Sequence, residues 1–456
     1  MENKNSNLKE TFLNITKKLR LPAGNSKMFS TKENILKNHD RFIINVHNTW
    51  KDIHYQALEE IINTDIFLNS KYYTSLNKKI IWKMEYFRQV WRRVNDAIIW
   101  GIFGKRYIIK RLCLYRKRPP LIGGNIKSEI AVLDKLNSDP HNIAILNDAT
   151  FCVDIGDIIL SNRKKNILQP IEIKEGKVNE IIFDLLTADA NNIELEGKYE
   201  HFLNTYGEKG ANQIERFHKQ IERSDQMIHL IKNEEGIDTY TSEKMKIIES
   251  SVKDEFYDDQ LEQLLEKSKK TGEGVTLVDN CLWIYTSYNN KFKLFEHKKR
   301  FLELIEKSKP EDIDYIRIVF NRTEEGRIIP LYDWINRHVC LPIFYRKLSE
   351  NNISELIAGK LLNNVLMYFN WSKFGNLFTK HKGKFRWSSK KEGRREKSVT
   401  FSKRTCLVID DRIPKIYYKK GDCSLTGANL IQILFDGNKP SLIVARISEN
   451  FNDIQQ

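Results

Sequence analysis

Residues 151–174 read FCVDIGDIILSNRKKNILQPIEIK, and the reading of this stretch decides the fold. The apolar run FCVDIGDIIL predicts one strand, PIEIK predicts the next, and the polar SNRKKN between them is turn-forming. A strand repeats every two residues, so Glu172 and Lys174 share one face of the second strand while Ile171 and Ile173 share the other. The isoleucines can then face a core while a carboxylate and an ammonium stand side by side. Pairing of the two strands brings in Asp157 from the first. Two carboxylates and a lysine at one spot suit metal-assisted phosphodiester hydrolysis. Carboxylates hold Mg²⁺ (or Mn²⁺ in its place) through hard oxygens, and the metal activates water and neutralises the phosphate. The lysine adds a point charge against the developing oxyanion. Asp154 is the rival for the aspartate position. It lies on the opposite strand face from Asp157, so only one of them can face the site unless a bulge intervenes. The Gly156-Asp157 pair favours Asp157.

The spacing, Asp157 followed by Glu172 and Lys174 on the next strand, resembles the signature of the PD-(D/E)xK nuclease superfamily, with Gly156 standing where the name has its proline. The resemblance covers residues 121–235. It implies a restriction-endonuclease-like α/β core sheet flanked by helices, with Asp157, Glu172 and Lys174 as the catalytic trio. It also implies a glutamate on the preceding helix, matched by Glu129 as a supplementary metal ligand. A polar helix after the lysine is matched by ANQIERFHKQIERSDQMIHLI, with Gln213 and Gln220 in supporting positions. E-x-K also occurs on ordinary solvated strands. Here the upstream strand is apolar, where a charge is costly unless it is used or paired.

Charge supports a nucleic-acid partner. The chain has 456 residues, a net charge of +15, 41% hydrophobic and 11% aromatic residues, and so reads as globular with more than one core. Residues 71–118 carry fourteen Lys and Arg against Glu85 and Asp96, and residues 373–404 carry twelve against Glu392 and Glu396. The rest of the chain is mildly acidic, so the two stretches read as phosphate-contacting surfaces. Lys390, Lys391, Arg394 and Arg395 represent the second, and Arg92, Arg93, Lys110 and Arg111 the first. DNA is favoured over RNA only because the resembled superfamily mostly cuts DNA. A homo-oligomer or a partner protein stays open.

Other chemistries are excluded by what the sequence lacks. MENKNSNLKETFLN has no apolar signal segment, and AIIWGIFGKRYII is interrupted by Lys105 and Arg106, so a cytoplasmic protein without a membrane span is expected. The six cysteines are scattered and read as reduced thiols. His47 and His54 read as surface or core-edge residues and not as metal ligands. The carboxylates at 254, 255, 258 and 259 lack the alternation of a calcium loop.

Three blocks follow. Residues 1–120 form a basic helical domain, in which Phe87, Val90, Val94 and Ile98 make one apolar stripe with Trp82, Trp91 and Trp100 counted as core. Arg118-Pro119-Pro120 and the glycines after it mark its end. Residues 121–300 form the nuclease-like domain with a helical insertion. Its acidic helix at 253–270 reads as a solvated face or lid, and CLWIYTSY as a strand. Residues 301–456 are α+β, with helices over 298–307 and 353–370, strands at IRIVF, CLVID, KIYY and SLIVARI, and a basic loop carrying Phe385 and Trp387 for stacking on bases. The expected function is a metal-dependent endonuclease or exonuclease. By analogy with such nucleases it would serve antiviral defence against foreign DNA. The alternative is a nucleic-acid-binding scaffold with an inactive nuclease fold.

Overall fold

The computed structural model describes residues 2–22, 24, 31–70, 77–113, 118–123, 126–165, 167–173, 181–182, 193–237, 244–246, 250–288, 293–308, 310, 328–337, 339–359, 361–398, 406–419 and 421–453. It is a mixed α/β protein, mostly helical, with small antiparallel sheets. From the N-terminus come helices α1 (Glu2–Arg20), α2 (Lys32–Lys37), α3 (His39–Leu68), α4 (Lys78–Phe103), α5 (Arg106–Leu112) and α6 (Ile126–Asn137). Strands β1 (Asn142–Leu146), β2 (Ile158–Asn162) and β3 (Ile167–Ile171) follow, then α7 (Ile193–Asn233) and the hairpin β4 (Glu235–Ile237) and β5 (Lys244–Lys246). Next are α8 (Asp258–Thr271), β6 (Glu273–Val278), β7 (Leu282–Ser287), α9 (Leu294–Lys307), β8 (Ile328–Pro330), α10 (Glu350–Ala358) and β9 (Val365–Phe369). The chain continues through α11 (Trp371–Leu377), β10 (Lys384–Trp387), α12 (Lys390–Ser398), β11 (Pro414–Tyr418), β12 (Gly421–Ser424), α13 (Gly427–Leu434) and α14 (Pro440–Asp453).

The chain divides into two compact units, Pro22–Ile247 and Met1–Leu21 with Ile248–Gln456. These are not the blocks 1–120, 121–300 and 301–456. The reason lies in the buried polar groups of the first unit. Helices α3 and α4 pack together and α3 also packs on β1. Leu146 N–H donates to His54 Nε2 at 3.1 Å, and Asn95 Nδ2 donates to Ala149 O at 2.9 Å. Asp96 accepts from the N–H groups of Phe151 and Cys152 at 2.7 and 3.1 Å. Irregular backbone after β1 has no ladder partner, and buried N–H and C=O groups must be paired. The helices supply the partners, so they share one core with the sheet. The stretch at 118–121 is likewise tied in, through Arg118 to Asp154 at 2.8 Å and Leu121 N–H to Asp65 at 2.8 Å.

Residues 142–171 form a three-stranded antiparallel meander in the order β1-β2-β3. Its registers are Leu146↔Ile158 on one side of β2 and Ile158↔Ile171 on the other. Strand β1 was not expected from the sequence, and β2 begins at Ile158, seven residues after the expected start. β3 is ILQPI, shifted toward the N-terminus from PIEIK. Pro170 sits in it because β3 is the edge of this sheet, where a missing N–H is tolerated.

The second unit holds a four-stranded antiparallel sheet, β6-β7-β9-β8, and a three-stranded one, β10-β11-β12. β7 is the expected strand at CLWIYTSY and all six of its residues are buried. The acidic helix α8 is no solvated lid: Leu261, Leu264 and Leu265 are buried, and α8 packs on β6 and β7. Its first residue, Asp258, is 1% exposed and accepts from Arg346 Nε at 2.7 Å. Helix α10 ends at Ala358, and VLMYF, expected to continue a helix, is the buried strand β9. SLIVARI, expected as a strand, lies in α14, where Asp279 accepts from the Ser441 N–H at 2.8 Å. A short apolar run carries no period that separates buried helix from buried strand. KIYY lies in β11; at CLVID only an isolated bridge, Ile409↔Arg412, forms; IRIVF lies outside the described residues.

Candidate active site

Pairing of β2 with β3 stops at Ile158↔Ile171, one residue short of both Asp157 and Glu172. The two acidic residues therefore leave the same end of neighbouring strands. Beyond that pair the ladder becomes irregular. Asp157 N–H donates to Ile171 O at 2.8 Å, and the Asp157 carboxylate accepts from Ile173 N–H at 2.6 Å. That N–H belongs to the Glu172–Ile173 peptide, so the Asp157 carboxylate lies against the backbone of Glu172. Both side chains are half-buried.

Two neighbours fix this geometry. Gly156 has φ +72°, and a Cβ there would lie 2.9 Å from Ile171 O and 3.1 Å from Ile171 N. Only glycine combines that left-handed backbone with so close an approach to β3. Asn147 was missed in the sequence. Its Nδ2 donates to Ile155 O at 2.6 Å and Gly156 O at 2.9 Å, and its N–H donates to Asp157 O at 2.8 Å. The signal was the switch from the apolar NIAIL to the polar NDAT, which reads as a turn and carries no hint of the loop it would hold. Asp154 is 7% exposed and paired with the buried Arg118, which removes it as a rival for the aspartate position.

The donor set suits Mg²⁺, which binds through one or two carboxylates and keeps several waters. Among the described residues no group of three or more His, Cys, Asp or Glu side chains is placed to hold a metal ion. Glu129 thus does not join Asp157 and Glu172 as a third ligand. Helix α6 packs chiefly on β1, and β1 is separated from β3 by β2. Lys174 lies outside the described residues. Gln213 is half-buried on α7, which touches β3 and bends at Gly207; the Gln220 side chain lies outside the description.

The N-terminal basic residues are corrected by burial. Arg93 is 0% exposed and bonded to Asp96 at 2.7 Å, itself 0% exposed. Arg92 is 3% exposed; it donates to Pro119 O at 2.8 Å and to Asp148 O, and burial draws its pKa down to about 10. Neither is available to phosphate. Lys110 is exposed on α5, and the Arg111 side chain is not described. Trp91 and Trp100 are core, as expected, whereas Trp82 is 37% exposed and stacked on Tyr86. His47 and His54 are buried at 2% and 0% exposure, deeper than the core edge. Burial holds both imidazoles down at about 4, helped for His47 by Lys51.

The C-terminal basic residues keep their exposure. Lys390, Lys391, Arg394 and Arg395 are all exposed, on helix α12 and not on a loop. Arg394 is 3.2 Å from Asp411, so part of its charge is answered locally. Phe385 and Trp387 are half-buried in an aromatic cluster with Trp371 and Phe374, and only part of each ring reaches a surface. No helix among the described residues is long and apolar enough to cross a membrane. No family model, no curated protein and no solved structure matches the chain.

Proposed function

We propose that the chain is a metal-dependent phosphodiester hydrolase acting on nucleic acid, with DNA the favoured substrate. Asp157 and Glu172 would hold Mg²⁺, and Lys174 would supply the positive charge at the reacting phosphate. The observation that carries this reading is the Asp157 carboxylate seated on the Glu172–Ile173 peptide at the common end of β2 and β3. Mg²⁺, when bound, would lower the pKa of a coordinated water and neutralise phosphate charge. Asn147 and Gly156 act as positioning residues that hold Asp157 in place. The exposed cations of α12 would track the backbone of a long substrate. The alternative is a nucleic-acid-binding scaffold without chemistry, in which the exposed cations of α12 would bind and the carboxylate pair would be inert.

Nicking of supercoiled plasmid separates the two. Cleavage is expected with Mg²⁺ or Mn²⁺ and should stop in EDTA, and hard oxygen ligands predict no stoichiometric zinc in the purified protein. Asp157→Ala, Glu172→Ala and Lys174→Ala should each reduce cleavage to background while leaving the unfolding midpoint near wild type. Undiminished cutting in excess EDTA would sink the mechanism, and full activity in Asp157→Ala would remove this site.

A further inference from the structure

Apart from the Asp157 site, the second unit carries a groove of about 440 Å³ between α11 and β10. One wall is the polar face of α11 and the turn after it. Ser372, Asn376 and Thr379, spaced by four and three residues, are all exposed there, while Phe374 and Phe378 on the other face are buried. The other wall is β10, whose four residues all line the groove. β10 is an edge strand of its sheet, and one of its sides pairs with no strand among the described residues. Gly375 sets the width: a Cβ there would lie 2.6 Å from Phe385 Cβ, so only glycine lets α11 come this close.

The lining has two cations, Lys384 and Arg386, and no acidic side chain. Both are exposed, and Arg386 rests over the Tyr417 ring at 5.9 Å. Nearby Lys415, by contrast, is answered by Glu392 at 2.6 Å and Asp422 at 3.3 Å. Lys380 and Lys382 add exposed positive charge at the β10 entrance. A groove lined by two cations, hydroxyl and amide groups and an indole matches one chemistry well. That chemistry is a polyanion with planar, hydrogen-bonding bases.

We propose that this groove binds a single strand of nucleic acid. Lys384 and Arg386 contact successive phosphates, Ser372, Asn376 and Thr379 meet base edges, and the open part of Trp387 takes a base by stacking. A paired duplex hides those edges and faces, so single strands are preferred. The proposal stands apart from the nuclease reading, because no residue of the groove belongs to the Asp157 site.

The test is fluorescence anisotropy of the full chain with a short labelled oligothymidylate in EDTA, where cleavage plays no part. Lys384→Ala with Arg386→Ala should weaken binding and flatten the log K against log salt slope by about 1.4, at roughly 0.7 per phosphate on a single strand. Ser372→Trp, which fills the groove and alters no charge, should weaken binding on the order of tenfold and leave the slope unchanged. Circular dichroism should match wild type, since the altered side chains are exposed. Unchanged affinity in Ser372→Trp would overturn the proposal even if the double variant binds less, since that pattern belongs to a general basic surface. A duplex whose affinity falls as much as the single strand's in Ser372→Trp would overturn it too.

Discussion

At the scale of single residues, position in the fold separates side chains that composition treats alike. Asp154 and Asp157 are three apart, yet one is locked to Arg118 and the other caps a peptide of the next strand. What separates them is Gly156. At φ +72° it turns the chain so that Asp157 meets β3, and it leaves no room for a Cβ. Gly156→Ala should therefore destabilise the protein by about 1–3 kcal/mol, the strain of a non-glycine residue in that region plus the clash. Urea unfolding measures this. The plasmid assay should show a larger loss than stability explains, because the shift falls on Asp157. Wild-type stability and cutting in this variant would show that the close approach is not required. The Gly-Asp pair was legible in the sequence, whereas the reason for the glycine was not, since Ile171 approaches it from another strand.

At the scale of elements, the amphipathic stripe of α4 was legible because Phe87, Val90, Val94 and Ile98 recur at helical spacing, and all are buried. Its arginines Arg92 and Arg93 are buried, where a phosphate-contacting surface is expected from charge alone. Charge in a sequence carries no burial information: Arg92 donates to Asp148 O after β1 and to Pro119 O, and Arg93 pairs with Asp96 on the same helix. A buried ion pair that loses one partner leaves an unanswered charge. Arg93→Ala is thus expected to cost about 3–5 kcal/mol, read as a lowered denaturation midpoint. Below that midpoint, the salt slope of nucleic-acid binding should equal that of wild type. A flattened slope with unchanged stability would return Arg93 to the binding surface. Helix α8 shows the same limit in reverse: its carboxylates drew attention, while Leu261, Leu264 and Leu265 place it in the core.

At the scale of the whole molecule, acid should unfold the protein through histidines that join helix to sheet. His54 is buried, hydrogen-bonded to Asn95 and accepting from Leu146 N–H, so its ring must stay neutral. Burial lowers its pKa from 6.5 to about 4, and the unfolded chain therefore binds the proton more readily. Stability is full above the unfolded value and falls as the pH drops from about 6.5 toward 4, by up to about 3 kcal/mol for this one ring. Urea midpoints measured across that range should fall, and His54→Gln should show a shallower decline; an identical decline would exclude His54 as the cause. The sequence by itself determined the helices within residues 1–120, the turn after β2 and the strand at CLWIYTSY, and it singled out Asp157 and Glu172 as a candidate pair. Each of these rests on period, turn chemistry or local spacing, which neighbouring residues carry. Tertiary structure alone decided that α3 and α4 share a core with the meander and that α1 joins the C-terminal half. It also decided that Glu129 stays off the carboxylate pair, that Arg92 and Arg93 are buried, and that α11 and β10 enclose a groove. Those outcomes depend on which distant segment satisfies a buried polar group, and no local pattern encodes that choice.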